Sequence, residues 1–289
     1  GNIITWAAGN GLDDDDNSNY DGYANSRHTI AVTAVTHYGE QSWYAEPGAN
    51  ILVAAPSDGS GEGITTTDIE GGGGYNGGDY NDNFGGTSSA TPLVSGVVAL
   101  ILEANPSVTY RDVEHIIVHS SRVNDAGDNS WNTNGAGHDV SHKYGFGVID
   151  ASAAVDLAET WVNVDPVINY QSGLIDVPDQ QIPDNSAPGI VETIQVPDSI
   201  KIEHVEVVVD IDHTYRGDLE IILTSPSGTQ SVLSEKHEDS GNNWNNWMFT
   251  SVHHWDEDSF GEWSLSIEDK GNGDTGTLRD WELNIYGTE

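Results

Sequence analysis

The chain has 289 residues, with 47 Asp and Glu against 9 Lys and Arg and a formal net charge of −38. So few cations are available to replace phosphate counterions that nucleic-acid binding is all but excluded, and an anionic membrane surface would repel the chain. Cysteine is absent, which removes disulfides and thiolate metal sites, while nine Trp and eleven Tyr separate this composition from that of a disordered acidic tail.

The length suggests two domains. In chain order, Ile3 to Ala8 and Thr29 to Thr36 are β-like apolar runs. Ala90 to Ala104 is a helix of small residues. Thr109 to Ser120 is a second helix, announced by Pro106 and a Thr109-x-x-Asp112 capping signal, and Asp150 to Val162 is a third, ending before Asp165-Pro166. Strands mixed with helices predict an α/β layer. The longest apolar stretch, Leu93 to Leu102, is interrupted by Ser95 and Gly96 and is too short to span a bilayer, so a soluble chain is expected.

Beyond about residue 165 the pattern changes. Ile202 to Ile211, Leu219 to Leu223, Trp263 to Ile267 and Trp281 to Ile285 mostly alternate at period two, separated by turns such as Ser225-Pro-Ser-Gly228 and Lys270-Gly-Asn-Gly273. No helical pattern interrupts them, so the second domain is expected to be an antiparallel β-sandwich or jelly roll.

The sharpest chemical signal is Gly86-Thr-Ser-Ser-Ala-Thr-Pro92 at the start of the first helix. A serine there lies among unpaired backbone N–H groups and at the positive end of the helix dipole, which suits developing negative charge. Read alone, a Ser-Ser pair is more often an ordinary N-cap. The full string, however, resembles the nucleophile motif of subtilisin-like serine proteases, and Ala7-Ala-Gly-Asn10 resembles that family's oxyanion-hole strand. Trp43-Tyr-Ala-Glu46, Tyr110-Arg-Asp112, Val140-Ser-His-Lys-Tyr-Gly-Phe-Gly147, Arg216-Gly-Asp-Leu219 and His254-Trp-Asp-Glu-Asp258 narrow the likeness to the kexin/furin branch, the proprotein convertases with a C-terminal P domain.

The resemblance implies an α/β subtilisin-like catalytic domain, C-terminal half only, over residues 1–163, followed by an all-β jelly-roll or β-sandwich P domain over 165–289. It implies Ser88 as nucleophile, Asn10 as oxyanion donor, Ala8 and Gly9 as substrate-binding strand, and Asp21 as an S1 acid for a basic P1 side chain. Asp16 and Glu46 would be carboxylates holding Ca2+ beneath that pocket, since hard oxygen donors suit calcium. His142 falls where the family keeps a histidine for packing. Protein or peptide substrates, a secreted or cell-surface location, and a P domain packed on and stabilising the catalytic domain are likewise implied.

A subtilase triad also needs an Asp and a His upstream of the oxyanion Asn, and only nine residues precede Asn10. Asp274-Thr-Gly276 has the composition of the Asp motif but the position of a turn between strands, and none of the eleven histidines stands in a His-Gly-Thr context. The expectation is a fragment inactive by itself. The alternatives are a noncatalytic P-domain module carrying a subtilase remnant, or a calcium-loaded structural protein. Gly71 to Gly78 is read as a tolerated surface insertion, Arg216-Gly-Asp218 as a strand entry rather than an adhesion motif, and Asp210, Asp212 and Asp218 as solvated surface rather than a cation site. The acid spread along both domains resembles that of proteins kept soluble in high salt or marine conditions, and the rival account, a surface that steers basic target sequences, explains only the pocket.

Overall fold

The computed structural model describes residues 2–289, and Gly1, the expected first residue of the catalytic portion, lies outside them. Strands β1 (Thr5–Ala7), β2 (Ile30–Val35) and β3 (Ile51–Pro56) form a parallel sheet in that order. All six residues of β2 are buried, the signature of a central parallel strand. The strand β3 is not among the sequence-based expectations. Its run Ile-Leu-Val-Ala-Ala-Pro has no alternation to announce it and ends on a proline.

A hairpin of β4 (Ile64–Thr67) and β5 (Tyr80–Phe84) leads into helix α1 (Thr87–Ala104). This helix starts three residues before the expected Ala90 and buries Val94, Val97, Val98 and Ile101 in the core. Its 18 residues are apolar enough to resemble a membrane span by composition, which the interrupted run Leu93 to Leu102 did not suggest. Helix α2 (Tyr110–Ser120) carries the expected capping box, the Thr109 side chain accepting from the Asp112 N–H while Asp112 accepts from the Thr109 N–H. The hairpin β6 (Trp131–Thr133) with β7 (Asp139–Ser141) and helix α3 (Ala151–Thr160) complete this part.

The remaining strands are β8 (Ile168–Gln171), β9 (Ile175–Ile182), β10 (Ile190–Val196), β11 (Lys201–His213), β12 (Leu219–Thr224), β13 (Gln230–Ser234), β14 (Trp244–Ser251), β15 (Gly261–Asp269) and β16 (Gly276–Thr288). They make two antiparallel sheets, ordered β10-β15-β12-β13 and β14-β11-β16-β8, with β9 also pairing with β16. Apolar side chains of the inner faces pack around Trp263 and Trp281, both fully buried: Val205, Val207, Val209 and Ile211 come from β11, Leu265 and Ile267 from β15, and Leu283 and Ile285 from β16.

Strand β11 departs from simple alternation, because every residue from Ile202 to Val207 is buried. A bulge between Ile202 and His204 accounts for part of this. The α/β part covers the outer face, where Glu203 binds Arg111 through two bonds of 2.7 and 2.5 Å and receives His115 Nε2 at 2.9 Å. Nearby, Trp255 is buried in the α/β core against His115 and Phe146. Edge strand β14 is covered by the segment after β1: Thr250 N–H donates to Asn19 Oδ1 at 2.9 Å, Asn19 Nδ2 donates to Thr250 O at 3.0 Å, and Asn25 Nδ2 donates to Met248 O at 2.7 Å. The asparagine amides thus substitute for a neighbouring strand.

Candidate active site

The turn before α1 is held from several directions. Gly86 adopts φ 78°, a left-handed conformation that favours glycine, and its N–H donates to Tyr44 Oη and Asp58 Oδ1, both at 3.0 Å. Its carbonyl accepts from Ser57 Oγ at 2.8 Å, and Ser57 and Ser89 hydroxyls lie 2.6 Å apart. Thr87 and Ser89 are buried by these contacts, and Ser88 between them is exposed in the first helical turn. Pro92 removes the N–H that would otherwise bond the Ser88 carbonyl.

Asn10 faces this turn. Its Oδ1 accepts from Thr87 N–H at 2.9 Å and Thr87 Oγ1 at 3.0 Å. Because a backbone N–H can only donate, these bonds fix which end of the amide is oxygen and leave Nδ2 as a free donor. A Cβ placed on Gly86 would stand 3.5 Å from Asn10 Nδ2 and 3.6 Å from the Ser88 backbone nitrogen. Two donors therefore lie within 3.6 Å of one point beside Gly86, next to the exposed residue Ser88, an arrangement capable of receiving an oxyanion. Ser57 and Asp58, which hold this arrangement, were not singled out by sequence reasoning, whereas Tyr44 and Thr87 stood inside motifs with no role assigned to them. Nothing local marks them, since their partners are distant in the chain.

The loop that follows Asn10 collects the acids. Glu46 is buried, and its Oε1 accepts from Gly11 N–H at 2.7 Å. Gly9, at φ 123°, is required here because a Cβ would lie 2.2 Å from the Glu46 carboxylate. A Cβ on Gly11 would meet Asp16 Oδ2 and Glu46 Oε1 both at 3.1 Å, so the two carboxylates close on one space. Burial, with the Asp16 charge next and Asp21 further off, pushes the Glu46 carboxyl up to about 7 against the opposing hydrogen bond from Gly11. Asp16 itself is exposed, with Oδ1 accepting from Asn17 N–H at 2.9 Å. Asp21 is exposed at the next turn, its Oδ1 accepting from Tyr23 N–H at 2.8 Å, and Ala8 is buried on the strand side.

Of the eleven histidines, none hydrogen-bonds to Ser88 among the described residues. His37 Nδ1 meets Ser60 Oγ, His142 Nε2 meets Glu235 Oε2 at 3.0 Å, and most of the others lie at or within the P-domain part. Gly71 to Gly78 forms the exposed tip of the β4–β5 hairpin, pinned through Asp68, whose oxygens accept from the Ile69 and Asn76 N–H groups. Asp274 lies in the turn between β15 and β16 and accepts from Thr214 Oγ1. Arg216 to Asp218 forms a 3-10 turn into β12, with Gly217 and Asp218 buried. Asp212 pairs with Arg279, and Asp218 with Lys236.

The chain matches the subtilase family over residues 1–147 and the proprotein convertase P-domain over 202–285. It belongs to the subtilase family, with a P domain attached. It is 39% identical to mouse proprotein convertase subtilisin/kexin type 4 over 297 residues, covering 100% of this chain and 44% of the relative, and 36% identical to human furin, covering 100% and 36%. The chain thus spans about two fifths of the length of these curated relatives. Its fold superposes on the crystal structure of the Aeromonas sobria serine protease in complex with its chaperone with a TM-score of 0.93 at 24% identity, covering 100% of this chain and 65% of that one.

Proposed function

We propose that this chain supplies the nucleophile half of a secreted, calcium-dependent serine endopeptidase that cleaves after basic residues. The observation that carries the reading is the convergence of Asn10 Nδ2 and the Ser88 N–H beside an exposed serine at a helix start. In the working enzyme Ser88 Oγ attacks the scissile carbonyl, and the two donors stabilise the oxyanion as it forms. Asp21 attracts a cationic P1 side chain, and Ala8 and Gly9 line the substrate backbone. The base and its orienting acid come from outside these 289 residues, so the chain alone does not hydrolyse peptides.

The Asp16 and Glu46 carboxylates fit calcium, since they are hard oxygen donors and since burial and the Asp16 charge leave Glu46 short of a positive partner. Calcium bound there would hold the Gly9 to Asp21 loop. The P domain stabilises the catalytic part through the Arg111–Glu203 and Asn19–Thr250 contacts and through Trp255.

The test is hydrolysis of a fluorogenic peptide ending in Arg by the chain joined to its in-frame upstream segment, with and without calcium. Calcium-dependent cleavage that disappears in Ser88→Ala, with no cleavage by the 289 residues alone, is the expected result. Cleavage surviving in Ser88→Ala, or inertness of the longer protein in calcium, would favour a noncatalytic module.

A further inference from the structure

The contact between the two parts gathers a second set of ligating groups, remote in sequence and role from Ser88. His115 and His119 stand one turn apart on α2, with ring centroids 6.1 Å apart and nearly parallel planes. His138 comes from the β6–β7 hairpin and Asp256 from the P-domain loop that follows β14. His138 Nε2 lies 2.8 Å, and His119 Nε2 3.4 Å, from the same oxygen, Asp256 Oδ2. One donor atom each from His115, His119 and Asp256 lies within 4.8 Å of the others.

We infer that His115, His119 and Asp256, with His138 as fourth donor, form a binding site for a divalent transition ion of the zinc class that ties the P domain to the α/β part. Bonds of about 2.0–2.1 Å at tetrahedral angles place donor atoms about 3.3 Å apart, and the two separations at Asp256 Oδ2 lie on either side of that value. Three imidazoles with one carboxylate suit zinc better than calcium, which prefers an all-oxygen shell.

The Asp256 side chain is only 7% exposed, and both of its oxygens are engaged, Oδ2 by the two histidines and Oδ1 by a lysine. The nearest cation, Lys201 Nζ at 3.1 Å, belongs to a half-exposed side chain that can remain on Oδ1 while Oδ2 takes the metal. Glu203 holds His115 at 2.9 Å and supplies the carboxylate that commonly supports a ligating histidine. The His119 side chain is 33% exposed, which leaves a path for the ion. A chain of net charge −38 also draws cations to its surface.

The site is testable on the 289-residue chain whether or not it hydrolyses peptides. After chelator treatment and return to saturating calcium, the protein is titrated with Co2+ and then with Zn2+. One equivalent of Co2+ should develop the intense visible absorption of a four-coordinate ion, Zn2+ should abolish it by displacement, and Zn2+ should raise the melting temperature. His119→Asn and His138→Gln should each weaken binding by at least about tenfold. The partly exposed His119 makes its variant the safer fold, and metal-free melting at the wild-type temperature verifies that. Absence of a stoichiometric cobalt signal, a weak six-coordinate spectrum, or wild-type affinity in a well-folded His119→Asn protein would overturn the inference.

Discussion

The nucleophile turn and the interface around Glu203 use the same groups in opposite ways. At Glu203 every charge is buried and answered: two bonds from Arg111, one from His115, and a further bond from Arg111 to the Asp165 carbonyl. At Ser88 the supporting shell of Ser57, Tyr44, Asp58 and Thr87 is equally well bonded, but the hydroxyl, its own N–H and Asn10 Nδ2 make no hydrogen bond among the described residues. A structural network consumes its donors, whereas a site that must bind something keeps a few in reserve and uses its other bonds to hold them still.

The comparison is broken most severely by removing one side of the interface. A chain ending at Val164 loses Glu203, Thr250 and Trp255 together and should be insoluble even when joined to its upstream segment; soluble, active protein from such a chain would refute the dependence. Glu203→Gln leaves Arg111 buried without a counter-charge and should cost about 3–5 kcal/mol in denaturant unfolding. Asn10→Ala should do the reverse, lowering kcat of the complete enzyme by about 10²–10³ while changing its stability by about 1 kcal/mol.

Glu46 sharpens the contrast, because its carboxylate is the one left uncompensated. Its folded pKa of about 7 lies above the ordinary 4.5, so the folded state holds the proton more tightly, and the associated stability falls as pH rises from about 4.5 through 7. Calcium should therefore raise the melting temperature more at pH 8 than at pH 5, and Glu46→Gln should flatten that difference. Glu203 behaves oppositely: burial would raise its carboxyl, but the bonds from His115 and Arg111 outweigh it and hold it at about 2. Its contribution is present above about 4.5 and is lost as pH falls toward 2. The smallest effect is expected from Ser88→Ala, which removes an exposed hydroxyl with no side-chain bond and should shift unfolding by less than about 0.5 kcal/mol.

What could be read in advance follows from what is local. The first helix, though it starts three residues earlier than expected, the Thr109 capping box and the alternating strands β12 and β15 are written in short-range pattern. The strand β3 was silent because a doubly covered strand has no alternation. Glu203, His204 and Glu206 fall in a run that mostly alternates at period two, and only the arrival of α2 and its surroundings makes their environment an interior. Within the candidate site, Gly9, Asn10 and Ser88 were visible through motifs, whereas Ser57 and Asp58, and the supporting role of Tyr44, become legible only once β3 is laid beside β2.

Trp255 carries a consequence for how such a protein is made. Its ring completes the core of the α/β part, yet it is encoded in the P-domain part, which is synthesised later. During translation the α/β layer emerges with a slot whose apolar walls stay wet until the P domain has left the ribosome, so the nascent chain passes through a window in which exposed apolar surface makes it prone to aggregate. Yield of this protein should therefore respond to the speed of elongation through the P-domain codons and to any holdase present then, and not to the stability of its finished form alone.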